Sequence, residues 1–402
     1  LDALGRAADD DLAVDDAARD RLTRTRRAAA TALADGENGA VPTADLAAVG
    51  LTAADLRQAA KDEWKYKRNP GITPDLDPAT RAELAQAAAG VNGEIARRAR
   101  TWKLLGEALD AGRDHAGGAR LRDLATDGGR VRGLELLWTS DLAEGWPGAV
   151  LCLDATPRPD LARRFLPRLE LRANLDVDAP NVRTRQIPDA PTTKHKTSLA
   201  PERREKDRVT AAGHLRDLHG YIQREAEGTE RPVLVVCQED VHASFEAHFT
   251  WRPNVEICHF NSVRGLDRWR DAGAIIVIGR PMPAPDTVER IAAAYSNAVP
   301  AVRPAHTWWY DTVTTGIRRR DGRGAAATMP CHPDAFCETI RRAVTEDELM
   351  QVIGRGRGIN RTPDDPLHVH ILGEIVLPID VDEIVDWEAV RPRTKDLQLA
   401  DG

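Results

Sequence analysis

Five short, continuous apolar runs constrain the fold of this 402-residue chain more than any other feature. All five lie beyond the first third of the sequence, and helix-forming segments separate most of them. A strand covered on both faces is apolar throughout, so such runs predict a parallel sheet joined by crossover helices. The runs are AVLCLDA (149–155), RPVLVVCQ (231–238), NVEICHF (254–260), GAIIVIG (273–279) and LHVHILG (367–373).

The first 145 residues have a different pattern. Helix formers dominate, apolar residues recur three and four positions apart, and no strand-like run is present. In TPDLDPATRAEL, Asp and Pro stand where a helix would begin. The region therefore reads as mostly α-helical. The predicted organisation is a helical accessory region (1–145), a parallel-sheet region (146–385) with an irregular hairpin insertion (about 296–340, tight turn at Asp321-Gly322), and a C-terminal tail (386–402).

Composition limits the possible functions. The formal net charge of -7 excludes a broadly basic nucleic-acid coat but allows a local basic groove. The five cysteines do not form paired metal-ligand spacings, so no metal site is predicted. No apolar run approaches the ~20 residues of a membrane span, and no signal peptide is visible, so we expect a cytoplasmic protein without membrane contact. The first residue is Leu rather than Met, which suggests a piece of a longer protein.

Polar residues follow several of the predicted strands. Asp154-Ala155-Thr156 ends the first run, and Asn261-Ser262 followed by Arg264-Gly265-Leu266-Asp267 ends the third. In open parallel sheets, sites gather at the carboxyl ends of the strands. We therefore expect Thr156, Gly265 and Asp267 to converge on one face, together with Arg355.

The stretch QVIGRGRGINRT (351–362) places three arginines and three glycines between a helix-like and a strand-like run. One interpretation is a solvated arginine-rich loop, a type that also binds RNA. The other is a site where arginine forks meet the charge on a transferring phosphoryl group, with glycines allowing the backbone to approach closely. The stretch alone leaves both open.

Three motifs together carry a resemblance. Gln351-x-x-Gly354-Arg355 resembles motif VI (QxxGRxxR) of superfamily-2 helicases, and Asp154-Ala155-Thr156 resembles motif III. The Gly265-x-Asp267 element, with the strand and Arg-Pro-Met-Pro turn after it, resembles motif V of XPD- and DinG-type helicases. The second arginine of motif VI falls on Gly358 here, so Arg357 and Arg361 on either side are the candidates for that role. The sequence is also similar to helicases of phage and mobile-element replication.

The resemblance implies a fold and a set of roles. The fold would be a RecA-like parallel-sheet motor lobe, the C-terminal lobe of a P-loop NTPase helicase. Arg355, Arg357 and Gln351 would be catalytic. The remaining roles would be cofactor binding (Gly265, Asp267, Gly354, Arg361), nucleic-acid binding (Asn261, Ser262, Arg264) and lobe coupling (Asp154, Thr156). Arg361 is either a second finger or a structural anchor.

The implied activity is ATP-dependent DNA unwinding on single-stranded or forked DNA. ATP and Mg would be held mainly by an N-terminal RecA-like lobe of the same protein, since the chain has no GxxxxGK[ST] motif. The chain alone is therefore predicted to be inactive. The alternative is a non-catalytic RecA-like module that binds nucleic acid or a replication partner. The run EWKYKR (63–68) alternates aromatic and basic residues, as single-strand platforms do, although an ordinary helix face has the same pattern.

Overall fold

The computed structural model describes residues 15–126, 129–142, 150–175, 177–306 and 309–392. The chain divides into two compact units. The first unit combines Leu1–Gly145 with Asp286–Val302, and the second combines Trp146–Pro285 with Arg303–Gly402. The sequence did not predict that Asp286–Val302, called the excursion below, belongs to the first unit.

The first unit contains helices and a small sheet. The sheet is antiparallel with strand order β1-β2-β3, so the expectation of a mostly helical region missed it. The signal was weak because the first of its two long strands contains Gly117-Gly118, and glycine is depleted in strands. Its elements are α1 (Asp16–Ala34), β1 (Gly39–Pro42), α2 (Thr43–Ala48), α3 (Ala53–Trp64), α4 (Pro78–Asp110), β2 (His115–Thr126), β3 (Gly129–Leu136) and, from the excursion, α9 (Pro285–Ser296).

Local capping sets the helix starts in the first unit. The Asp77 carboxylate accepts hydrogen bonds from the Ala79 and Thr80 N–H groups, and Pro78 occupies the first turn of α4. Thr52 and Asp55 form a capping box at the start of α3. These interactions satisfy N–H groups that have no partner within the helix. The predicted helix start in TPDLDPATRAEL is confirmed.

A buried carboxylate ties the helices of the first unit together. Glu63, at the end of α3, is fully buried and accepts hydrogen bonds from Arg26 on α1 and from Arg98 and Trp102 on α4. Buried charges are tolerated when they are paired and hydrogen-bonded in this way. Thus Glu63 fixes how the three helices pack.

Asn297 anchors the excursion within the first unit. Its backbone is left-handed (φ 51°), its amide nitrogen donates to the Leu104 carbonyl, and its amide oxygen accepts from the Gly118 N–H. Arg120 on β2 also pairs with Asp286 at 2.9 Å. A helix that follows a core strand of the second unit in sequence therefore completes the first unit.

The second unit is built on a six-stranded sheet in which all strands are parallel, so the predicted α/β class is confirmed. The strand order is β11-β4-β10-β7-β5-β6. The runs at 231–238, 254–260, 273–279 and 367–373 all form strands, as predicted. The elements are α5 (Pro159–Ala162), β4 (Val182–Ile187), α6 (Lys194–Thr197), α7 (Glu205–Glu227), β5 (Val233–Cys237), α8 (Glu239–His248), β6 (Val255–His259), β7 (Ala274–Ile278), β8 (Asp311–Arg318), β9 (Gly324–Cys331), α10 (Ala335–Val344), α11 (Glu346–Gly354), a 3-10 turn (Gly358–Asn360), β10 (Leu367–Leu372), β11 (Glu383–Ile384) and α12 (Trp387–Val390).

Both faces of the sheet are covered. Alternate residues of β5 enter different cores: Val235 packs with residues of α7, and Val236 packs with residues of α11. This explains why the central strands are apolar at every position. The hairpin at 312–329 is also confirmed: β8 and β9 pair antiparallel, and Gly322 adopts a positive φ of 82° in the turn between them.

The run AVLCLDA is not a strand in its described part, residues 150–155, so that prediction is wrong. Leu151 and Leu153 are 81% and 88% exposed. The position beside β10 is taken instead by β4, whose sequence VRTRQI is too polar to predict a core strand. Apolarity marks a segment that can be buried in a sheet, but it does not decide whether the segment pairs with a strand.

The predicted tail also needs correction in its described part. Trp387, in α12, is 5% exposed and packs near Tyr221, and its backbone N–H donates to the Asp189 carboxylate at 2.7 Å. Residues 386–392 therefore contribute to the core of the second unit. Residues 393–402 of the predicted tail lie outside the described residues.

His370 on β10 should make the stability of the second unit depend on pH. Its Nδ1 lies 2.6 Å from the Tyr221 hydroxyl, and burial, together with the nearby Arg185 cation, lowers the pKa of His370 to about 3. The Glu225 carboxylate, 3.8 Å from Nε2, opposes this shift only in part. Below the ordinary histidine pKa of about 6.5, the unfolded chain takes up a proton that the folded chain refuses. As the pH decreases from about 6.5 towards 3, the free energy of unfolding should therefore fall by about 1.4 kcal/mol for each pH unit.

His370→Asn should remove this slope, because the asparagine oxygen can still accept from Tyr221 without titrating. Urea unfolding at neutral and mildly acidic pH, with hydrogen exchange of the β7 and β10 amides as the readout, measures how the free energy of unfolding depends on pH. His368→Asn, at an exposed position on the same strand, is the matched control. An unchanged slope in His370→Asn would contradict the assignment.

No helix within the described residues is both long enough and apolar enough to cross a membrane.

Candidate functional site

Helix α11 organises the candidate site through two of its faces. Residues four apart lie on one face of a helix, as do residues seven apart. Asp347 and Gln351 therefore share one face, while Glu348 and Arg355, just past the helix end, share another. Acidic residues in a first turn usually interact favourably with the helix dipole at the surface. Here Asp347 and Glu348 are buried, and each holds a segment that is distant in sequence.

Glu348 fixes the loop after β6. Its carboxylate is fully buried, accepts the Asn261 N–H at 2.7 Å and pairs with Arg264, whose Nε lies 2.7 Å away. Asn261 adopts a left-handed φ of 70° at this contact. The buried carboxylate therefore selects the conformation of the loop that contains Asn261, Ser262 and Arg264, the predicted nucleic-acid-binding residues.

The three residues differ in what their side chains contact. Asn261 is exposed, and its amide lies at the surface. The Ser262 hydroxyl donates to the His259 carbonyl at 2.6 Å, and the Arg264 guanidinium, about half exposed, is held by Glu348. The loop thus presents a polar surface in which Arg264 is already partly neutralised.

The other face of α11 holds the segment around Thr156. Arg158 makes a two-pronged pair with Asp347, at 2.6 and 2.7 Å, and this hydrogen bonding raises the pKa of Arg158. One helical turn further on, the Gln351 Nε2 donates to the Thr156 hydroxyl at 3.1 Å. The Asp154 carboxylate in turn accepts the Thr156 N–H at 2.9 Å. The residues that resemble motifs III and VI therefore meet directly.

Arg355 and Arg357 reach the Gly265-x-Asp267 element. Arg355 donates from Nη1 to the Leu266 carbonyl at 3.1 Å, and Arg357 donates from Nε and Nη2 to the Asp267 carboxylate at 3.0 and 2.7 Å. The hydrogen bonds from Arg357 lower the pKa of Asp267. The Nε of Arg355 is buried and has no hydrogen-bond partner among the described residues. Arg355 thus has fewer hydrogen bonds within the chain than Arg357.

The contacts of Arg361 are those of a structural anchor, one of the two roles that the sequence left open. Its side chain is buried and donates to the carbonyls of Gly356, Arg270 and Ala272, and it also pairs with Asp365. All three of its nitrogens have acceptors in this arrangement. A phosphate would have to displace these bonds.

The sequence predicted the arginine site at the carboxyl ends of the strands, but the structure places it elsewhere. The acceptors of Arg361 include Ala272, just before β7, and the Arg361 carbonyl accepts from Asn181, just before β4. The loop from β6 to β7 therefore carries Asp267 away from the carboxyl end of β6, towards the edge where β7 begins. The contacts with Glu348 remain at the carboxyl end of β6, so the site extends along α11.

At two positions of the site, the structure explains why the residue is glycine. Gly265 has a φ of 73°, which side chains rarely adopt, so glycine suits the turn before Asp267. A Cβ on Gly356 would lie 2.6 Å from a Leu367 methyl group and 2.9 Å from one of Ile275, so this glycine lets the arginine loop pack on the sheet. Gly354 shows neither restriction and is exposed at the helix end.

An open polar cleft of about 330 Å³ lies beside these arginines. Its lining is mostly charged: Asp267, Arg270, Asp271, Arg357, Ile359, Asn360, Arg361 and Asp365. Among the described residues, no group of three or more His, Cys, Asp or Glu side chains is arranged to hold a metal ion. The cleft is lined by three arginines and three aspartates, so it is polar and its formal charges balance.

Sequence reasoning missed Glu348, Asp347 and Arg158. The acidic start of EDELMQVIG reads as an ordinary helix N-terminus, and Arg158 lies outside the Asp154–Thr156 motif. Only the packing of α11 shows that these side chains position the motif residues.

The fold and this site define the second unit as a parallel-sheet α/β unit with an arginine-rich loop after α11. Comparisons with protein-family models, with curated proteins and with solved structures gave no match.

Proposed function

We propose that the second unit is the C-terminal motor lobe of an ATP-dependent DNA helicase of the XPD/DinG-like superfamily-2 kind. The observation that carries the proposal is that segments 154–158 and 261–267 both contact segment 346–357, which comprises α11 and the start of the arginine-rich loop. These segments are far apart in sequence, and each resembled a different motif of that family. A solvated arginine-rich loop would have no reason to contact the other two.

The state of the arginines supports the proposed roles. Arg355 has an unsatisfied buried donor, which costs about 1–3 kcal/mol and is relieved if a phosphoryl oxygen arrives. Arg357 is held by Asp267 and would exchange that partner for a phosphate or act as a sensor of it. Asp154 and Thr156 would couple the site to the opposing lobe, and Gln351, which donates to the Thr156 hydroxyl, would bind a phosphate or the attacking water.

The exposed run at 150–155 supports the proposed partner lobe. Leu151 and Leu153 belong to a strand-like sequence that has no strand partner in the described residues, and both side chains are largely exposed. Exposed apolar segments of this kind mark surfaces that bind another protein unit. A P-loop lobe that supplies the ATP and Mg site would cover it.

The alternative is a non-catalytic RecA-like module that binds nucleic acid or a replication partner. The ion pairs Arg357–Asp267 and Arg264–Glu348 favour it, because each neutralises a cation that a motor would direct at its ligand. The two readings differ in whether the full-length protein hydrolyses ATP.

Single-strand-stimulated ATP hydrolysis by the full-length protein tests the proposal, and Leu153→Asp sharpens the test. A carboxylate buried against a partner lobe costs several kcal/mol, so turnover should fall about tenfold or more. Val209→Asp, which places a carboxylate on an exposed position of α7, is the matched control and should have little effect. Absence of single-strand-stimulated hydrolysis in the unmodified protein would favour the non-catalytic module, and equal activity of the two variants would remove the exposed run as support.

A further inference from the structure

A basic site lies in the first unit. A cleft of about 780 Å³ runs between α3 and α4 and is bordered by Trp138, which follows β3. Its lining residues on α3 are Arg57, Ala60, Lys61 and Trp64, at spacings of three and four that define one helix face. Those on α4 follow the same rule from Gly93 to Asp110. The cleft is therefore built by matching faces of two packed helices.

The base of this cleft is made of small residues and its sides carry indoles. Ala60, Gly93, Ala96 and Ala99 leave room between the helices. Trp64 is 48% exposed and Trp138 is 41% exposed. Large aromatic side chains at the surface beside a recess are typical of binding sites rather than of packing.

The charge of the cleft is opposite to that of the chain. Five cations line it, Arg57, Lys61, Arg97, Arg100 and Lys103, against two carboxylates, Glu107 and Asp110. The cleft therefore carries a formal charge of about +3 (five minus two), within a chain of net charge -7. Such a local field attracts polyanions.

Some of these cations are already paired and some are not. Arg57 pairs with Asp110 at 2.8 Å, Lys103 lies 3.8 Å from Glu107, and Arg97 pairs with Glu94. Arg100 instead lies over the Trp138 ring, 5.3 Å from its centroid. Within the described part of the chain, neither Lys61 nor Arg100 forms an ion pair with a carboxylate. These two cations flank the small-residue base and are available to phosphates.

We infer that this cleft binds single-stranded nucleic acid, with bases stacked on Trp64 and Trp138 and phosphates on Lys61 and Arg100. Interleaved aromatic and basic side chains are the common arrangement for single strands, because every base offers a stackable face and every nucleotide a charge. An acidic protein segment would use the cations but has less use for two exposed indoles. The inference uses only residues of the first unit and does not depend on the proposed motor activity.

The structure also revises the run EWKYKR. Glu63 and Tyr66 point into the core, and Lys65 pairs with Asp62 at 2.9 Å. Only Trp64 of this run lines the cleft. The other lining residues come from elsewhere on α3, from α4 and from Trp138, and most of them are distant from this run in sequence.

The test measures binding of a fluorescein-labelled oligo(dT) by anisotropy, without ATP, over a range of salt concentrations. Lys61→Glu and Arg100→Glu should each lower affinity roughly tenfold and reduce the slope of log K against log salt by about 0.7 per lost phosphate contact. Trp64→Leu should lower affinity about tenfold with little change in the slope, because it removes stacking rather than charge. Arg27→Glu, an exposed change on α1 outside the cleft, should leave binding unchanged.

A variant that fills the cleft without unfolding the protein distinguishes loss of the binding site from loss of structure. Gly93 lies within α4, where a Cβ would meet no atom within 4 Å, and glycine in a helix costs about 1 kcal/mol relative to alanine. Gly93→Leu should therefore preserve or raise thermal stability while it blocks the cleft and lowers affinity. Photocrosslinking with a 5-iodouracil oligonucleotide should mark Trp64 and Trp138.

Unchanged affinity in the Lys61, Arg100, Trp64 and Gly93 variants, or crosslinks only in the second unit, would overturn the inference. So would binding of a Glu/Asp-rich peptide that the cleft variants abolish while oligo(dT) binding persists. Loss of ATP hydrolysis with intact cleft binding would instead count against the motor proposal alone.

Discussion

Arg355→Ala is expected to reduce single-strand-stimulated ATP turnover of the full-length protein by roughly 10³-fold or more. Arginine fingers that meet the charge of a transferring phosphoryl group contribute about 10³–10⁵ in rate. Such a contribution is largest in the transition state, so binding of the ground state should change little. The Arg355 guanidinium has one bond to the Leu266 carbonyl and one unsatisfied buried nitrogen, so the substitution removes little native structure.

Single-strand binding by the same variant should be nearly unchanged. The proposed grip in the second unit comes from several partial contacts around Asn261, Ser262 and Arg264, and none of them involves Arg355. Steady-state ATPase with saturating single-stranded DNA, beside a salt titration of binding, separates the roles. A DNA-gripping arginine would lower affinity and flatten the salt dependence.

Two further variants sharpen the result. Arg355→Lys keeps the charge but loses the planar fork, and it should recover only part of the activity. Arg216→Ala, on the exposed face of α7, is the matched control and should retain full turnover. Near-normal turnover in Arg355→Ala would return the QVIGRGRGINRT stretch to a solvated loop.

Arg361→Ala should instead destabilise the second unit by about 3–5 kcal/mol. The substitution leaves the carbonyls of Gly356, Arg270 and Ala272 without this donor. The bonds to Gly356 and Ala272 are buried, and each such loss costs about 1–3 kcal/mol. It also removes the tie between the arginine loop and the entry to β7. Loss of activity should follow from loss of structure.

Hydrogen exchange of the β7 and β10 amides measures this effect within the second unit. Arg357→Ala is the matched control from the same loop, because its side chain is half exposed and pairs with an exposed carboxylate. It should change exchange only slightly. A stable Arg361→Ala variant that has lost ATP turnover would show that Arg361 is a second finger, against the anchor assignment.

The parallel sheet of the second unit follows the sequence pattern in four of its strands. Four apolar runs formed the predicted strands, since two-sided burial requires apolar side chains at every position. The same rule failed at 150–155 and overlooked β4. Apolar side chains favour burial, but a strand also needs a neighbouring strand to pair with. The polar strand β4 pairs with β10, and its buried Gln186 donates hydrogen bonds to the carbonyls of Gly373 and Ile375.

The candidate site divides in the same way. By itself, the sequence determined the α/β class, the hairpin and the identity of the arginine-rich loop, because these depend on local pattern and turn chemistry. Tertiary structure alone decided that Arg361 is buried, that Glu348 sets the loop at Asn261, and that Trp64 and Trp138 line the same basic cleft. The physical reason is that a charged or aromatic side chain has the same local signature whether it faces solvent, a ligand or a partner far along the chain.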